Sequence, residues 1–194
     1  ESSPLVLGDL VCVGSSDGNL YAVASGSGEV RWKYATGDRI LGAPTAGRLP
    51  RDAGEIIVVG SYDSKMHAVD ATTGAARWVF DTGNFVNGAA AVNEGQVVFG
   101  GCDGKLHILQ LANGQPAGEI EVGAYIAGSC AVHGNLAWVG HFGNEVACAD
   151  LSTGQIRWAY RASQEPYFSS PAVDATRVVI GGRDGQLHCL NRQS

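Results

Sequence analysis

The chain has 194 residues, a net charge of −6 and 45% hydrophobic residues. This length is sufficient to bury a core within one domain. The negative charge and the scattered lysines and arginines argue against a nucleic-acid partner, which would favour a basic stripe. No apolar run reaches the ~18 residues of a membrane span, so none is expected. The chain opens without a basic stretch followed by an apolar core, so no signal peptide is expected in this segment.

The segment 11–32 contains three short strand-like runs separated by two turns. Val11–Gly14 and Leu20–Ala24 are joined by a turn that contains Asp17-Gly18, a strong hairpin signal because glycine accepts the positive φ of a tight turn. A second turn at Gly28 leads into a run that contains Trp32. The segment is therefore predicted to form a meander of antiparallel strands.

Both turns recur along the chain at intervals of 40 to 46 residues. The first turn has its counterparts at Asp63-Ser64, Asp103-Gly104, Gly143-Asn144 and Asp184-Gly185. The second turn has its counterparts at Gly74, Gly114 and Gly154, and a tryptophan follows four residues later at Trp32, Trp78 and Trp158. In the third copy Gly118 replaces this tryptophan, so a looser outer edge is expected there.

Four-stranded repeats of about 40 residues are typical of a β-propeller, an all-β fold in which sheets pack face to face around an axis. We name the strands of each blade A to D in chain order. The repeats are assigned to residues 2–41, 42–87, 88–127, 128–168 and 169–194, which gives four complete blades and a fifth that stops after strand C. The favoured interpretation is part of a ring of seven or eight blades, and the alternative is a five-bladed ring with one short blade. Open blade ends would expose apolar faces, so self-association through them is a further expectation.

The second repeat contains about six extra residues within 47–54, which are interpreted as a surface loop between two strands. The five cysteines have neither the spacing of a zinc site nor that of a disulfide framework. Most of them lie in apolar strand patterns, so they are expected to be buried free thiols: Cys12, Cys102, Cys130, Cys148 and Cys189.

The repeat motifs resemble the pyrroloquinoline-quinone (PQQ) repeat over the whole chain. The matching motifs are Val-Gly-Ser-x-Asp-Gly-x-Leu-x-Ala-x at residues 13–23 and Thr-Gly-x-x-x-Trp at Thr73–Trp78. The resemblance implies that Trp32, Trp78 and Trp158 each pack against the turn of the neighbouring blade. The family includes PQQ-dependent dehydrogenases and non-catalytic propellers such as the BamB-like subunit of outer-membrane assembly machinery. Fold alone does not separate these two classes.

A PQQ-dependent dehydrogenase would need a catalytic carboxylate and a calcium site with converging oxygen ligands. The aspartates Asp17, Asp63, Asp103 and Asp184 are assigned to hairpin turns, where aspartate commonly accepts hydrogen bonds from nearby amides. The histidines His67, His107 and His188 share one column on strand C of different blades and are expected to point in parallel directions without converging on a metal. No catalytic, cofactor-binding or metal-binding residue is therefore predicted. PQQ with Ca²⁺ is implied only under the dehydrogenase alternative.

The connections from strand D to strand A of the next blade differ in sequence from repeat to repeat, whereas the turn and strand motifs recur. They present exposed aromatic side chains and one arginine, which suits binding to a partner. The candidate partner-binding residues are Arg39, Phe85, Tyr125, Tyr167 and Phe168. The alternative is that their apolar members fill the channel or pack between blades.

The sequence therefore favours a non-catalytic propeller that binds or scaffolds another protein, and the resemblance implies an extracytoplasmic location. Two alternatives stay open at this point. One is the propeller segment of a PQQ-dependent quinoprotein dehydrogenase, and the other is the sensory propeller of a larger signalling protein.

Overall fold

The computed structural model describes residues 2–50, 53–162 and 164–193. The regular elements of these residues are nineteen β-strands, which form four four-stranded sheets and one three-stranded sheet. Within each sheet the order in space is the order in the chain, and all pairings are antiparallel. The predicted all-β propeller, with four complete blades and a three-stranded fifth, is confirmed.

The blades share one plan, with strand A innermost and strand D outermost. The A strands are β1 (Leu5–Leu7), β5 (Thr45–Arg48), β9 (Ala91–Asn93), β13 (Ala131–His133) and β17 (Ala172–Val173). The B strands are β2 (Leu10–Gly14), β6 (Glu55–Gly60), β10 (Gln96–Gly100), β14 (Leu136–His141) and β18 (Arg177–Gly181). The C strands are β3 (Asn19–Ala24), β7 (Lys65–Asp70), β11 (Lys105–Gln110), β15 (Glu145–Asp150) and β19 (Leu187–Asn191). The D strands are β4 (Val30–Ala35), β8 (Ala76–Asp81), β12 (Pro116–Glu121) and β16 (Gln155–Tyr160).

The hydrophobic core lies between the blades. On β6, Ile57 and Val59 pack with the first blade, whereas Val58 packs with the third. Because successive side chains of a strand point to opposite faces, a strand with neighbours on both sides must be apolar at every position. This explains the continuous apolar runs of the B and C strands.

The hairpin between strands B and C requires a left-handed residue at its tip. Glycine has this role at Gly18, Gly104 and Gly185, where φ is 81°, 81° and 77°. Ser64 and Asn144 occupy the same position in the other two blades with φ of 69° and 66°. In the four turns that contain an aspartate, its carboxylate accepts a hydrogen bond from a turn amide, as when Asp17 Oδ1 accepts from the backbone N–H of Asn19 at 3.0 Å. The turn of the fourth blade has Gly143 at this position.

Tryptophans on the D strands tie adjacent blades together. The Trp32 indole N–H donates to the carbonyl of Ala71 at 3.0 Å, and the ring lies over Gly74 of the next blade. Trp78 repeats the arrangement with the carbonyl of Leu111 at 2.9 Å and with Gly114. A Cβ at either glycine would come within 2.7 Å of the indole, so only glycine allows this close packing.

A β-bulge directs each of these D-strand side chains. In the first blade Ala22 pairs with Trp32 and Val23 pairs with Val30, which leaves Arg31 as the extra residue. The pairings shift at the equivalent position in blades two to four. Bulges increase local twist and re-aim side chains. Here the bulge directly precedes the residue that packs against the next blade.

The innermost turns of neighbouring blades approach each other through glycine. A Cβ at Gly88 would lie 2.2 Å from the carbonyl oxygen of Gly128, and one at Gly42 would lie 2.8 Å from that of Gly88. Glycine is therefore required at the first residue of the second and third repeats by contact between main chains.

The insertion in the second repeat is more ordered than a surface loop. Strand β5 extends to Arg48, and the side chain of Leu49 is buried in the core between the second and third blades. The backbone N–H of Leu49 donates to the carbonyl of Gly54 at 2.9 Å. The interpretation of the insertion as a surface loop was therefore wrong for its residues up to Leu49. Residues 51 and 52 lie outside the described residues.

All five cysteines are free. Cys12, Cys130 and Cys148 are buried and Cys102 is partly buried, which agrees with the expectation, whereas Cys189 is exposed. Cys189 lies on β19, which pairs only with β18 among the described strands. Burial raises the pKa of the Cys12 and Cys148 thiols to about 11. These two thiols are therefore protonated at neutral pH and are poor nucleophiles.

Candidate functional site

The D–A connections and the B–C turns meet at one end of the blades. At each of the four interfaces, a carbonyl of the D–A connection accepts a hydrogen bond from the backbone N–H of a B–C turn residue in the next blade. The pairs are Arg39 with Tyr62 (3.0 Å), Phe85 with Cys102 (2.9 Å), Tyr125 with Phe142 (3.0 Å) and Pro166 with Arg183 (3.2 Å). This bonding places side chains from two blades next to each other at every interface.

Most of the side chains at these positions, together with Phe168 of the last connection, form what we call the aromatic row. It consists of five rings with an arginine at each end: Arg39, Tyr62, Phe85, Tyr125, Phe142, Phe168 and Arg183. It is divided into two clusters, because no described ring contact joins Phe85 to Tyr125 across the third blade.

The first cluster lies between the first and third blades. The Arg39 guanidinium carbon is 4.1 Å from the centre of the Tyr62 ring. Tyr62 in turn stacks on Phe85, with ring centres 4.8 Å apart and planes at 21°. The side chain of Phe85 is 45% exposed, so the stack ends in a large apolar group that faces solvent.

The second cluster lies between the third and fifth blades. Tyr125 and Phe142 meet edge to face at 6.2 Å, and Phe142 lies 4.2 Å from Phe168. The Arg183 guanidinium is 5.0 Å from the centre of the Phe168 ring. Tyr125 is 57% exposed and Phe142 is 48% exposed. Their rings border a shallow, open cleft of about 460 Å³, which is completed by Gly123, Ala124 and Gly143.

The expectation of an exposed binding residue does not hold for Tyr167, which is fully buried. It belongs to the column of buried residues Ile40, Val86 and Ile126, each of which covers a strand-B glycine. Tyr167 covers Gly140 in the same way and contacts the His188 ring at 5.2 Å. Tyr167 therefore packs between blades, as the alternative interpretation expected. Phe168 is only partly buried and belongs to the aromatic row.

The three strand-C histidines lie at separate blade interfaces. Each Nε2 contacts the aspartate four residues earlier: His67 with Asp63, His107 with Asp103 and His188 with Asp184. Each imidazole also contacts an aromatic ring on strand D of the preceding blade: Tyr34, Phe80 and Tyr160. The histidines thus join blades and do not converge on a common point.

The first of these contacts forms a hydrogen-bonded chain across an interface. The Tyr34 hydroxyl is 3.0 Å from His67 Nδ1, and Asp63 Oδ2 accepts a hydrogen bond from the backbone N–H of Gly37 at 2.8 Å. Burial lowers the pKa of His67 despite the opposing effect of Asp63. The imidazole is therefore neutral at neutral pH, and its two nitrogens can bond the hydroxyl and the carboxylate.

Within residues 2–50, 53–162 and 164–193, no group of three or more histidine, cysteine, aspartate or glutamate side chains could hold a metal ion. The carboxylates of the hairpin turns are engaged with their own turn amides, as in the contacts of Lys65 N with Asp63 and Gln186 N with Asp184. At this end of the blades the aromatic row offers exposed aromatic and arginine side chains for binding.

Sequence reasoning missed three members of the row: Tyr62, Phe142 and Arg183. They occupy one repeat position, directly before the two residues at the tip of the hairpin turn, where the other blades carry Ser16 and Cys102. Comparing the repeats at this position would have revealed the variation. The repeat alone could not have shown that these side chains contact those of the D–A connections.

The family model described as "Outer membrane protein assembly factor BamB" matches residues 2–194. A protein of that name from Marinobacter adhaerens is 54% identical over 39 residues, which are 20% of this chain and 10% of the relative.

Two solved structures share the fold. The crystal structure of BamB from Moraxella catarrhalis is 22% identical with a TM-score of 0.80, and the match covers 98% of this chain and 57% of that one. The computationally designed Ika8 protein is 20% identical with a TM-score of 0.83, and the match covers 97% of this chain and 57% of that one. The chain therefore spans little more than half the length of these structures. From the family match over residues 2–194, the chain belongs to the BamB-like family of PQQ-repeat β-propellers.

Proposed function

We propose that this chain is part of a non-catalytic scaffold that binds another protein through the aromatic row. The observation that carries the proposal is the exposure of Phe85, Tyr125 and Phe142, at 45%, 57% and 48%, on connections fixed by hydrogen bonds between blades. Of these, Tyr125 and Phe142 are in contact with each other, and contiguous exposed apolar groups are uncommon on soluble proteins unless they serve an interface.

The composition of the row also suits a protein interface. Tyrosine and arginine are enriched among the residues that contribute most to protein–protein affinity, and aromatic rings provide large contact areas. The contacts of Arg39 with Tyr62 and of Arg183 with Phe168 hold the long arginine side chains in place before any partner arrives. Preordered side chains lose less conformational entropy on binding.

The description of the matched family suggests the process in which the chain acts. We place the chain in outer membrane protein assembly, on the extracytoplasmic side, and we regard its five blades as a portion of a larger ring. These statements extend the family match to this chain and are part of the proposal. The described residues include no helix of the length and hydropathy needed to cross a bilayer.

Site-specific photocrosslinking in cells tests the proposal. A photoreactive phenylalanine analogue is introduced at Phe142 in one variant and at Tyr125 in another, with Val79 as the control because it is 48% exposed on an outer strand. We expect discrete adducts with one or a few proteins from the two row positions and none from Val79. Equal or absent crosslinking from all three positions would show that the row is not a protein-binding surface.

A further inference from the structure

We propose that the aromatic row binds an extended segment of its partner in which a short apolar stretch is flanked by carboxylate side chains. This inference rests on the proposed function and specifies the chemistry of the partner. It depends on three features: an apolar cleft, two guanidinium groups at the ends of the row, and the burial of the hairpin-turn carboxylates against histidine.

The cleft between Tyr125 and Phe142 provides an anchor for an apolar side chain. Its two rings stand at 66° to each other, and its remaining lining is the backbone of Gly123 and Gly143 with the methyl group of Ala124. Most of the exposed lining is apolar. It suits a proline or aliphatic side chain, which gains free energy by removing apolar surface from water.

The two arginines provide the charge. Arg39 and Arg183 are exposed and lie over aromatic rings, and neither makes an ion pair within the described part of the chain. A guanidinium group that lies over a ring still has N–H groups at its edge for other bonds. These groups can bind a carboxylate with two parallel hydrogen bonds, which is the strongest common form of this contact.

Three of the neighbouring carboxylates are largely buried and have partners within the protein. The side chains of Asp63, Asp103 and Asp184 are only 10%, 17% and 11% exposed and are bonded to histidine. Asp38 is exposed and accepts a hydrogen bond at Oδ1 from the backbone N–H of Arg39, at 2.6 Å, and Glu165 is a second exposed carboxylate on these connections. The charged members of the row itself are both arginines, although the chain as a whole has a net charge of −6.

The dimensions favour an extended segment over a single side chain. The second cluster runs from Tyr125 through Phe142 and Phe168 to Arg183 in three steps of 6.2, 4.2 and 5.0 Å. An extended chain rises about 3.3 Å per residue, so this path corresponds to about four or five residues. An apolar residue in the cleft would then place an acidic residue a few positions away at Arg183.

Selection from a random library of displayed ten-residue peptides tests the inference with the purified chain. We expect the selected peptides to be enriched in aspartate and glutamate on either side of an apolar stretch, and to bind more weakly as salt is raised. Arg183→Gln should weaken binding of a selected peptide about tenfold. Arg31→Gln, which removes an exposed arginine from an outer strand, should leave binding unchanged. Thermal melting of each variant verifies that it is folded.

Three results would overturn the inference: selected peptides that are basic or uncharged, acidic peptides whose binding is insensitive to both Arg39→Gln and Arg183→Gln, or no peptides that depend on the row. The crosslinking experiment above does not depend on peptide charge. Protein adducts at Phe142 together with selection of uncharged peptides would refute the acidic partner and leave the protein-binding function standing.

Discussion

Replacing Gly118 by tryptophan should stabilise the protein, because it would restore the contact that the third blade lacks. Gly118 occupies the position of Trp32 and Trp78 in the bulged D strand. The glycine that a tryptophan would cover is Gly154. A Cβ placed on Gly154 would have no neighbour within 4 Å, whereas Gly74 is in direct contact with an indole. The space for the ring is therefore open.

The size of the effect follows from the existing contacts. Trp78 is 8% exposed. Burying an aromatic side chain removes about 150–250 Å² from water, which corresponds to about 4–6 kcal/mol at about 25 cal/mol per Å². Loss of side-chain entropy and imperfect packing in a site that did not evolve for the ring reduce this value. A bond from the indole N–H to the carbonyl of Leu151 would add about 1 kcal/mol. We expect a net gain of about 1–3 kcal/mol in the free energy of unfolding.

Urea unfolding of the wild type, Gly118→Trp and Gly118→Ala measures this gain. The alanine variant is the control for removing a glycine from a strand, which by itself contributes about 0.5–1 kcal/mol. A Cβ at residue 118 meets only Ile108, at an ordinary 3.4 Å, so alanine fits. The reasoning would be refuted if the tryptophan variant were less stable than the alanine variant.

Three further predictions concern the framework. Gly88→Ala should lower the free energy of unfolding, measured by urea titration, by about 1–3 kcal/mol or more, because its Cβ would lie 2.2 Å from the carbonyl oxygen of Gly128. Gly26→Ala is the control and should be neutral, because a Cβ at this position has nothing within 4 Å. Trp78→Ala should cost about 3–5 kcal/mol, read from the denaturation midpoint, and a loss below about 1 kcal/mol would contradict its role between blades. The pKa of His67 is lowered by burial, so its contribution to stability is complete above its unfolded value of about 6.5 and is lost as pH falls below that value. His67→Gln should therefore show a shallower loss of stability on acidification, and an unchanged slope would argue against this assignment.

The fold could be predicted from the sequence because the repeat determines it. The Asp-Gly turns recur at fixed intervals, and the positive φ at Gly18 and Gly104 is what those turns require. Ser64 and Asn144 adopt the same conformation without being glycine, so alignment of the repeats was more informative than residue type. The bulge before each tryptophan has no sequence signal of its own, since it depends on how strands C and D pair.

The site could be predicted only in part. The D–A connections were identified because they vary while the framework does not, and Phe85 and Tyr125 are indeed exposed. Tyr167 could not be separated from them by sequence, because its connection is longer and its register was not evident. Tyr62, Phe142 and Arg183 were missed because their side chains join the row only through contacts between blades.

The central claim is that the aromatic row contacts the partner while the repeats only hold it in place. The most direct measurement compares the proteins that co-purify from native cells with the wild type and with the Tyr125→Ala/Phe142→Ala variant, quantified by mass spectrometry. Truncating residues at the centre of an interface typically costs about 2 kcal/mol or more, or about thirtyfold in affinity. We therefore predict that the main partner is lost from the variant while its melting temperature is unchanged. Full retention of that partner by a folded variant would contradict the account.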